Sequence, residues 1–384
     1  MAQINPHLAL AGGSSGLIDV NSRDYAFSMQ ALILASEGVG LVSPNPLVGC
    51  VIASTNGDIV GQGTYLKDNV THAEVVALEQ AGERARGGSA YVSLEPHDHH
   101  GKTPPCTEAL ISAGIKRVVC PIKDPNPLVS GKGFERLQNA GVEVVTGILA
   151  DEASRLNEKF ICWHRNKRPF VHLKLAMSLD GRISLGSSVS TALSGDRGRK
   201  RVQELRHEYD AILVGANTAV VDNPSLTDRS GKPRRRPLAR VILDNRLRLP
   251  LDSTLAATTS EAPTVVFTNC IDPEAVEKLR EKGVEVVPVE NGARNLRAVL
   301  DELYKRDIQS VLVEGGTGVA GAFVDARLVD KVTFLCSPLI LGGNDAPVAI
   351  GGKGAVTLSE ALRLKNIEIT LRGEDIEITG YPSN

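Results

Sequence analysis

The stretch from His72 to Cys106 concentrates the side chains best suited to chemistry. It reads Thr71-His72-Ala73-Glu74 and then, after a strand-like Ala90–Leu94, Glu95-Pro96-His97-Asp98-His99-His100-Gly101-Lys102-Thr103-Pro104-Pro105-Cys106. His72 and Glu74 form a His-x-Glu at the start of a helical pattern. Cys106 opens a second helical run, Thr107–Ala113, which Gly114 stops. Imidazole and thiolate are zinc ligands, and a carboxylate that is not itself a ligand can shuttle protons for an activated water. Taken singly, His72 reads as a helix-start residue, Glu74 as a first-turn acid favoured by the helix dipole, and Cys106 as a small buried side chain. Together, at two helix starts, they point to a metal centre. A second segment, Leu312–Gly321, is a strand, a glycine turn and a helix start, where free backbone N–H groups can cradle a phosphate. Gly316, Gly318 and Gly321 spell G-x-G-x-x-G, a weak signal alone because no acidic partner is clearly placed.

The elements that must hold these residues alternate between strand and helix. Arg23–Gly38 carries a helical stripe of Tyr25, Met29, Leu32 and Ile33. Leu47–Ala53 and Ile59–Gly63 read as strands joined by a turn at Asn56-Gly57-Asp58. Arg117–Pro121 and Val142–Thr146 follow as strands, with a helix over Gly133–Ala140. Asp151–Arg168 is a charged helix whose Leu156, Phe160 and Trp163 dock one face, and it reads as a connector. Pro169 then begins a second series, with strands at Phe170–Ala176, Ala211–Gly215, Arg240–Asp244, Thr264–Thr268, Val284–Val289, Ser310–Glu314 and Lys331–Cys336. Helices fall at Arg199–Arg206, Pro273–Lys282 and Leu296–Lys305. The pattern predicts two layered α/β domains, which suits 384 residues of which 42% are hydrophobic.

A net charge of −2 and no basic block leave no nucleic-acid footprint. The short cluster Arg234-Arg235-Arg236, between Pro233 and Pro237, reads as a solvated loop. The six cysteines are scattered and show no disulfide framework; Cys50, Cys120, Cys270 and Cys336 lie in or beside apolar runs and read as buried thiols. No apolar run approaches the roughly 18 residues of a membrane helix. Met1–Asn21 is a poor signal peptide and reads as a disordered extension, so a cytoplasmic address is expected.

The two chemical segments carry a resemblance. His72-Ala73-Glu74 with Leu94-Glu95-Pro96-x-x-His99-His100-Gly101-Lys102-Thr103-Pro104-Pro105-Cys106 resembles the deaminase half of the bifunctional riboflavin-biosynthesis family, a pyrimidine deaminase fused to a pyrimidine reductase. Lys174-Leu175-Ala176-x-Ser178-Leu179-Asp180-Gly181-Arg182, and Val214-Gly215-Ala216-Asn217-Thr218 with Asp222-Asn223-Pro224-x-Leu226-Thr227-x-Arg229, resemble the reductase half. The likeness covers nearly everything after Asn21. It implies a cytidine-deaminase-like three-layer domain over residues 22–150, the connector over 151–168, and a dihydrofolate-reductase-like α/β domain over 169–384.

By resemblance, His72, His97 and Cys106 hold one zinc ion and Glu74 moves the proton. His97 stands where the family usually has Cys, and His99 or His100 is an alternative ligand. Two imidazoles with one thiolate leave the site a net positive charge that a second thiolate would cancel. That makes the metal a stronger Lewis acid and predicts a pH optimum shifted downward. Asn45, in Pro44-Asn45-Pro46-Leu47-Val48-Gly49, matches a position lining the pyrimidine pocket; without the resemblance it is a turn residue. His99, His100, Lys102 and Thr103 match the substrate loop, where Lys102 and Thr103 can hold the substrate phosphate. In the second half, Ala176, Thr218, Asp222, Asn245 and the run Gly316, Thr317, Gly318, Val319, Ala320, Gly321 and Ala322 match NADPH-contacting positions. Ser190, Arg206, Leu226, Arg229 and Glu314 match substrate-contacting positions, with Arg206 and Arg229 suited to fork a phosphate. A family Trp near the nucleotide is Ala192 here.

The expected function is therefore zinc-dependent deamination of 2,5-diamino-6-ribosylamino-pyrimidinone 5′-phosphate, then NADPH reduction of the ribosyl chain to ribityl. The family also implies a homo-oligomer assembled through reductase domains. Two other readings compete: a reductase whose deaminase domain is only structural, with His97 marking the loss, and a nucleic-acid-binding or editing protein on a deaminase fold. The last meets neither a basic surface nor interleaved aromatics, which make up 4% of the chain, and leaves the second half unexplained.

Overall fold

A computed structural model describes residues 22–66, 71–100, 104–127, 129–270 and 272–383. The expected extension over 1–21 lies outside these residues, as do Lys102 and Thr103. Helix α1 (Arg23–Ser36) begins at Ser22, whose Oγ accepts from the Tyr25 N–H at 3.2 Å. Then follow β1 (Gly49–Ala53), β2 (Ile59–Thr64), α2 (Ala73–Ala81), β3 (Ser89–Val92), α3 (Cys106–Ser112), β4 (Arg117–Cys120), α4 (Lys132–Asn139) and β5 (Glu143–Thr146). The sheet runs β2-β1-β3-β4-β5, antiparallel across β2-β1-β3 and parallel across β3-β4-β5. Alternation along β1 splits its side chains: Cys50 and Ile52 join the core with Ala73, Ala77, Leu110 and Phe134, while Val51 and Ala53 pack with Ala31 of α1. This is the expected three-layer domain.

Small residues let the helices lie almost on the sheet. A Cβ at Gly61 or Gly63 would come within 2.0 or 2.1 Å of the Ala77 or Ala73 carbonyl oxygen, so only glycine fits under α2. At the end of β3, Glu95 is 5% exposed and gathers a loop around itself. Its carboxylate accepts from the N–H groups of Asp124, Gly131 and Gly133 at 2.9 Å each and of Phe134 at 3.4 Å. Those bonds fix the chain just before His97.

The connector forms two helices, α5 (Ala150–Leu156) and α6 (Glu158–Asn166), rather than one. The break is at Asn157, whose buried amide bonds both the N–H and the carbonyl of Leu47 at 2.9 Å. The second domain contains β6 (Phe170–Ser178), α7 (Asp196–Glu208), β7 (Ala211–Gly215), α8 (Ala216–Val221), β8 (Ala239–Leu243), α9 (Thr254–Ala257) and β9 (Thr264–Thr268). It continues with α10 (Pro273–Glu281), β10 (Glu285–Pro288), α11 (Leu296–Lys305), β11 (Ser310–Val313), α12 (Thr317–Asp325), β12 (Lys331–Ser337), β13 (Arg363–Arg372) and β14 (Asp375–Ser383).

Its sheet runs β10-β9-β8-β7-β11-β6-β12-β14-β13, parallel as far as β12 and closed by the antiparallel β14 and β13. The strand reading ends at Cys336 and misses this hairpin, although Ile367-Glu368-Ile369-Thr370-Leu371 has the period of a strand. Cys50, Cys120 and Cys336 are buried thiols, and Cys270 is half-buried. The Arg234–Arg236 cluster is not a solvated loop. Arg234 donates to the carbonyls of Arg206, His207 and Tyr209 and to Asp228, and Arg236 reaches Ser43 of the first domain. Backbone carbonyls and buried carboxylates outcompete water for these guanidinium groups.

Glu95→Ala strips an acceptor from four N–H groups. At about 1 kcal/mol or more for each buried donor left unpaired, it should lose roughly 3 kcal/mol or more, read as a lower urea midpoint at unchanged m-value.

Candidate active sites

In the first domain the two helix starts meet as expected. His72 is the N-cap of α2, and its ring makes no capping bond. Cys106 is the first residue of α3, buried. His97 arrives on the loop after β3. Its carbonyl accepts from the Thr107 N–H at 3.3 Å, and the Thr107 hydroxyl donates to Asp98 at 2.5 Å, so the loop is tied to α3. The ligand atoms of His72, His97 and Cys106 all lie within 4.8 Å of one another, so small side-chain rotations bring them to the closer spacing that bonds of about 2.0–2.3 Å to one ion require. His97, not His99 or His100, completes the trio. His99 is exposed with its ring 4.9 Å from that of His97; His100 is exposed and 3.6 Å from Glu108.

The protonation states suit a metal. Burial, then the neighbouring His72, holds the His97 imidazole down at about 4. Burial also lowers His72, so both rings are neutral near pH 7, the form that coordinates. Burial pushes the Cys106 thiol up, with Glu74 adding to it; a dication reverses that, since a coordinating thiol is deprotonated outright. Glu74 is 3% exposed, and its Oε2 has no hydrogen-bond partner. Burial raises its carboxyl, as a proton shuttle near neutral pH requires. An orphaned carboxylate oxygen beside three ligand side chains fits a metal centre with a non-ligand acid. Asn45 stands at the rim, donating to the Tyr65 hydroxyl at 2.5 Å, and the Tyr65 ring lies 5.3 Å from that of His72. Tyr65 was not singled out by the sequence reading; its signal is an aromatic just past the strand that faces the zinc helix.

The second site lies at the carboxyl ends of β6, β7 and β11. A cavity of about 760 Å³ is lined by Ala176, Ser190, Arg206, Thr218, Asp222, Leu226, Glu314 and Gly316–Val319, among others, all of them sequence candidates. An adjoining cavity of about 980 Å³ shares Lys174, Ala176, Thr191, Arg206 and Glu314 with it and adds Ala192 and Arg229. The glycine turn fits a nucleotide phosphate: a Cβ at Gly318 would meet nothing within 4 Å, so backbone there is open to a ligand. Four candidates sit elsewhere. Asn245 lines neither cavity; its Oδ1 accepts from the Ala293 N–H at 2.6 Å. Ala320 is fully buried, a Cβ at Gly321 would lie 2.3 Å from the Gly351 backbone, and Ala322 packs on the core. Only the first turn of α12 faces the cavity; the next turn rotates into the protein.

At the junction of the two cavities, Glu314 receives Arg206 in a fork at 3.0 and 3.1 Å and lies 3.6 Å from the Lys174 ammonium. Burial pushes the Glu314 carboxyl up, but Lys174 and Arg206 outweigh it and hold it at about 2. Burial lowers Lys174, with Glu314 opposing. Lys174 had no role in the sequence reading. Its signal is a lone cation inside the apolar strand Phe170–Ala176. The remaining Arg206 nitrogen, Nη1, donates to the Thr227 carbonyl at 3.2 Å. Arg206 therefore orients Glu314, and Arg229, on the wall of the second cavity, is the freer guanidinium.

Residues 21–122 match the cytidine and deoxycytidylate deaminase zinc-binding region, and residues 169–378 match the RibD C-terminal domain. The riboflavin biosynthesis protein RibD of Actinobacillus pleuropneumoniae is 42% identical over 357 residues, spanning 92% of this chain and 94% of that protein. RibD of Escherichia coli is 37% identical over 375 residues, spanning 92% and 98%. Among solved structures, Acinetobacter baumannii RibD in its first form matches with a TM-score of 0.84 at 36% identity, covering 94% of this chain and 99% of that one. A diaminohydroxyphosphoribosylaminopyrimidine deaminase/5-amino-6-(5-phosphoribosylamino)uracil reductase of Thermotoga maritima matches with 0.82 at 37% identity, with the same coverage.

Metal analysis separates ligands from the acid. His97→Ala and Cys106→Ala should be purified with zinc well below one equivalent, and Glu74→Gln should retain it; zinc retained by both ligand variants would remove the metal centre from these residues.

Proposed function

The chain belongs to the RibD family of bifunctional riboflavin-biosynthesis enzymes, and on that premise we propose how its residues divide the work. The protein is a zinc-dependent pyrimidine deaminase joined to an NADPH-dependent reductase. We assign the deaminase to residues 22–150, the connector to 151–168 and the reductase to 169–384; the family matches at 21–122 and 169–378 support those limits. The observation that carries the first site is the trio His72, His97 and Cys106 converging beside the unpartnered Oε2 of Glu74.

Zinc bound by that trio supplies Lewis acidity and lets water act as a nucleophile near neutral pH. Glu74 takes the water's proton on Oε2 and passes it to the departing amino group, which leaves as ammonia. Burial keeps its carboxyl basic enough to accept and, once protonated, acidic enough to give. Asn45 offers an amide donor and acceptor to the pyrimidine edge. We assign His99 and His100 to the substrate loop and, outside the described residues, Lys102 and Thr103 to the substrate phosphate.

In the reductase, NADPH supplies the hydride. The first turn of α12, Gly316–Val319, receives nucleotide phosphate on free N–H groups, with Ala176, Thr218 and Asp222 along the same cavity. Ser190, Leu226 and Arg229 contact the pyrimidine ribosyl phosphate. Glu314, kept ionised and oriented by Arg206, binds ribose hydroxyls. Lys174 is the buried ammonium facing both ligands.

We further propose a homo-oligomer through the reductase domain. Edge strand β13 pairs on one side only and leaves Ile367, Ile369 and Leu371 between 56% and 71% exposed. A cytoplasmic address is supported by six free cysteines and by the lack, among the described residues, of a helix long and apolar enough to cross a membrane. Independence from nucleic acid is supported by the internal use of Arg234 and Arg236.

Glu74→Gln should slow ammonia release by about 10²–10⁴-fold while NADPH oxidation with the deaminated substrate stays at the parent rate. Equal loss of both would place Glu74 in the scaffold. Glu314→Gln removes the charge that opposes burial at Lys174, so the ammonium releases its proton at lower pH than in the parent. The alkaline limb of the reductase kcat/KM profile should move to lower pH; an unmoved limb argues against Lys174 as a working cation.

A further inference from the structure

The rim of the deaminase site is held from the reductase domain. The loop between α1 and β1 carries Asn45, and its anchors come largely from outside its own domain. The Gly40 carbonyl accepts from the Arg235 N–H at 2.9 Å. Gly40, at φ +80°, lies against the His207 ring so closely that a Cβ would sit 2.6 Å from it. The Arg236 guanidinium donates to the Ser43 hydroxyl at 3.2 Å, and the Gln309 amide donates to the Pro44 carbonyl at 2.8 Å. Asp210 fixes both donors: one oxygen lies 3.4 Å from Arg236, and the other accepts from the Gln309 N–H at 2.9 Å.

We propose that Arg236 and Gln309, residues of the reductase domain, are positioning residues of the deaminase, holding the Ser43–Asn45 turn so that the Asn45 amide meets the pyrimidine. The proposal rests on the role assigned to Asn45. Pro44 is the residue immediately before it, so the bond to Gln309 controls the peptide plane from which Asn45 projects. Behind the turn lies a cavity of about 290 Å³ lined by Val39, Val42, Asn45, Arg236 and Gln309, among others. The turn is therefore not wedged by close packing. With the two polar anchors cut it has room to fall back, and misplacement by about an ångström is enough to weaken catalysis strongly. Neither anchor lines either reductase cavity.

The test uses the full-length, zinc-loaded protein, with deamination and NADPH-dependent reduction measured separately. Gln309→Met keeps the side chain's length and removes its donor; Arg236→Met does the same for the clamp. Each should raise the deaminase KM by about five- to tenfold, as for loss of one hydrogen bond of about 1 kcal/mol, with zinc content and reductase kcat/KM unchanged. Combined with Asn45→Ala, neither should add to the effect of Asn45→Ala alone. An unchanged deaminase KM in both Met variants, while Asn45→Ala raises it, overturns the proposal. So does loss of zinc, or an equal fall in both activities, since either describes general damage. An unchanged KM in Asn45→Ala overturns the role of Asn45 itself and the proposal with it.

Discussion

The first site depends on how near a helix can come to a sheet. His72 and Glu74 are useful only if the start of α2 lies beside the loop after β3, which brings His97, and the start of α3, which brings Cys106. Gly61 and Gly63 make that approach possible, because any Cβ there would collide with the carbonyls of Ala77 and Ala73. Ala73, Ala77 and Ala81 give the helix a flat underside, all nearly or fully buried. The separation is then set by backbone against backbone and not by the size of a side chain between them. A metal centre whose ligands come from three separate segments needs that constancy.

The second site meets a different demand, that of keeping charges in a dry crevice. Lys174, Arg206 and Glu314 are each largely buried, and isolated charges there would be expensive. Grouped, they offset one another: the carboxylate is shared by two cations and stays ionised down to about 2. The cluster ends at the carboxyl ends of parallel strands, where helix N-termini and strand ends open a crevice for ligands. Because it borders both cavities, one set of charges can face nucleotide and substrate at once.

Much of this was legible in the sequence because the residues concerned act locally. His72-x-Glu74 and Pro105-Cys106 sit at helix starts that periodicity alone locates, and the alternation of strands and helices predicts two layered domains. His97 needed the family resemblance, since three histidines lie close together in its loop and only the fold shows which one faces inward. Asn245, Ala320, Gly321 and Ala322 line neither cavity, since a motif records order along the chain, not the direction in which each side chain points. Arg234–Arg236 was misread for a related reason. Polar residues between prolines look solvated unless the carbonyls that receive them, from residues far along the chain, are known. Glu95 shows the same limit, since its four partners lie well beyond it in sequence.

The paired bonds between Asn157 and Leu47 give the whole molecule a topological character. They join positions 110 residues apart, so the first domain from β1 onward is a loop tied at its base by one side-chain amide. If that loop unravels, the amide is left buried at the head of α6 without partners, and the strain passes into the sheet on which α6 rests. Two bodies with separate cores are thereby coupled, since unfolding the first strips both partners from the amide that heads α6 of the connector.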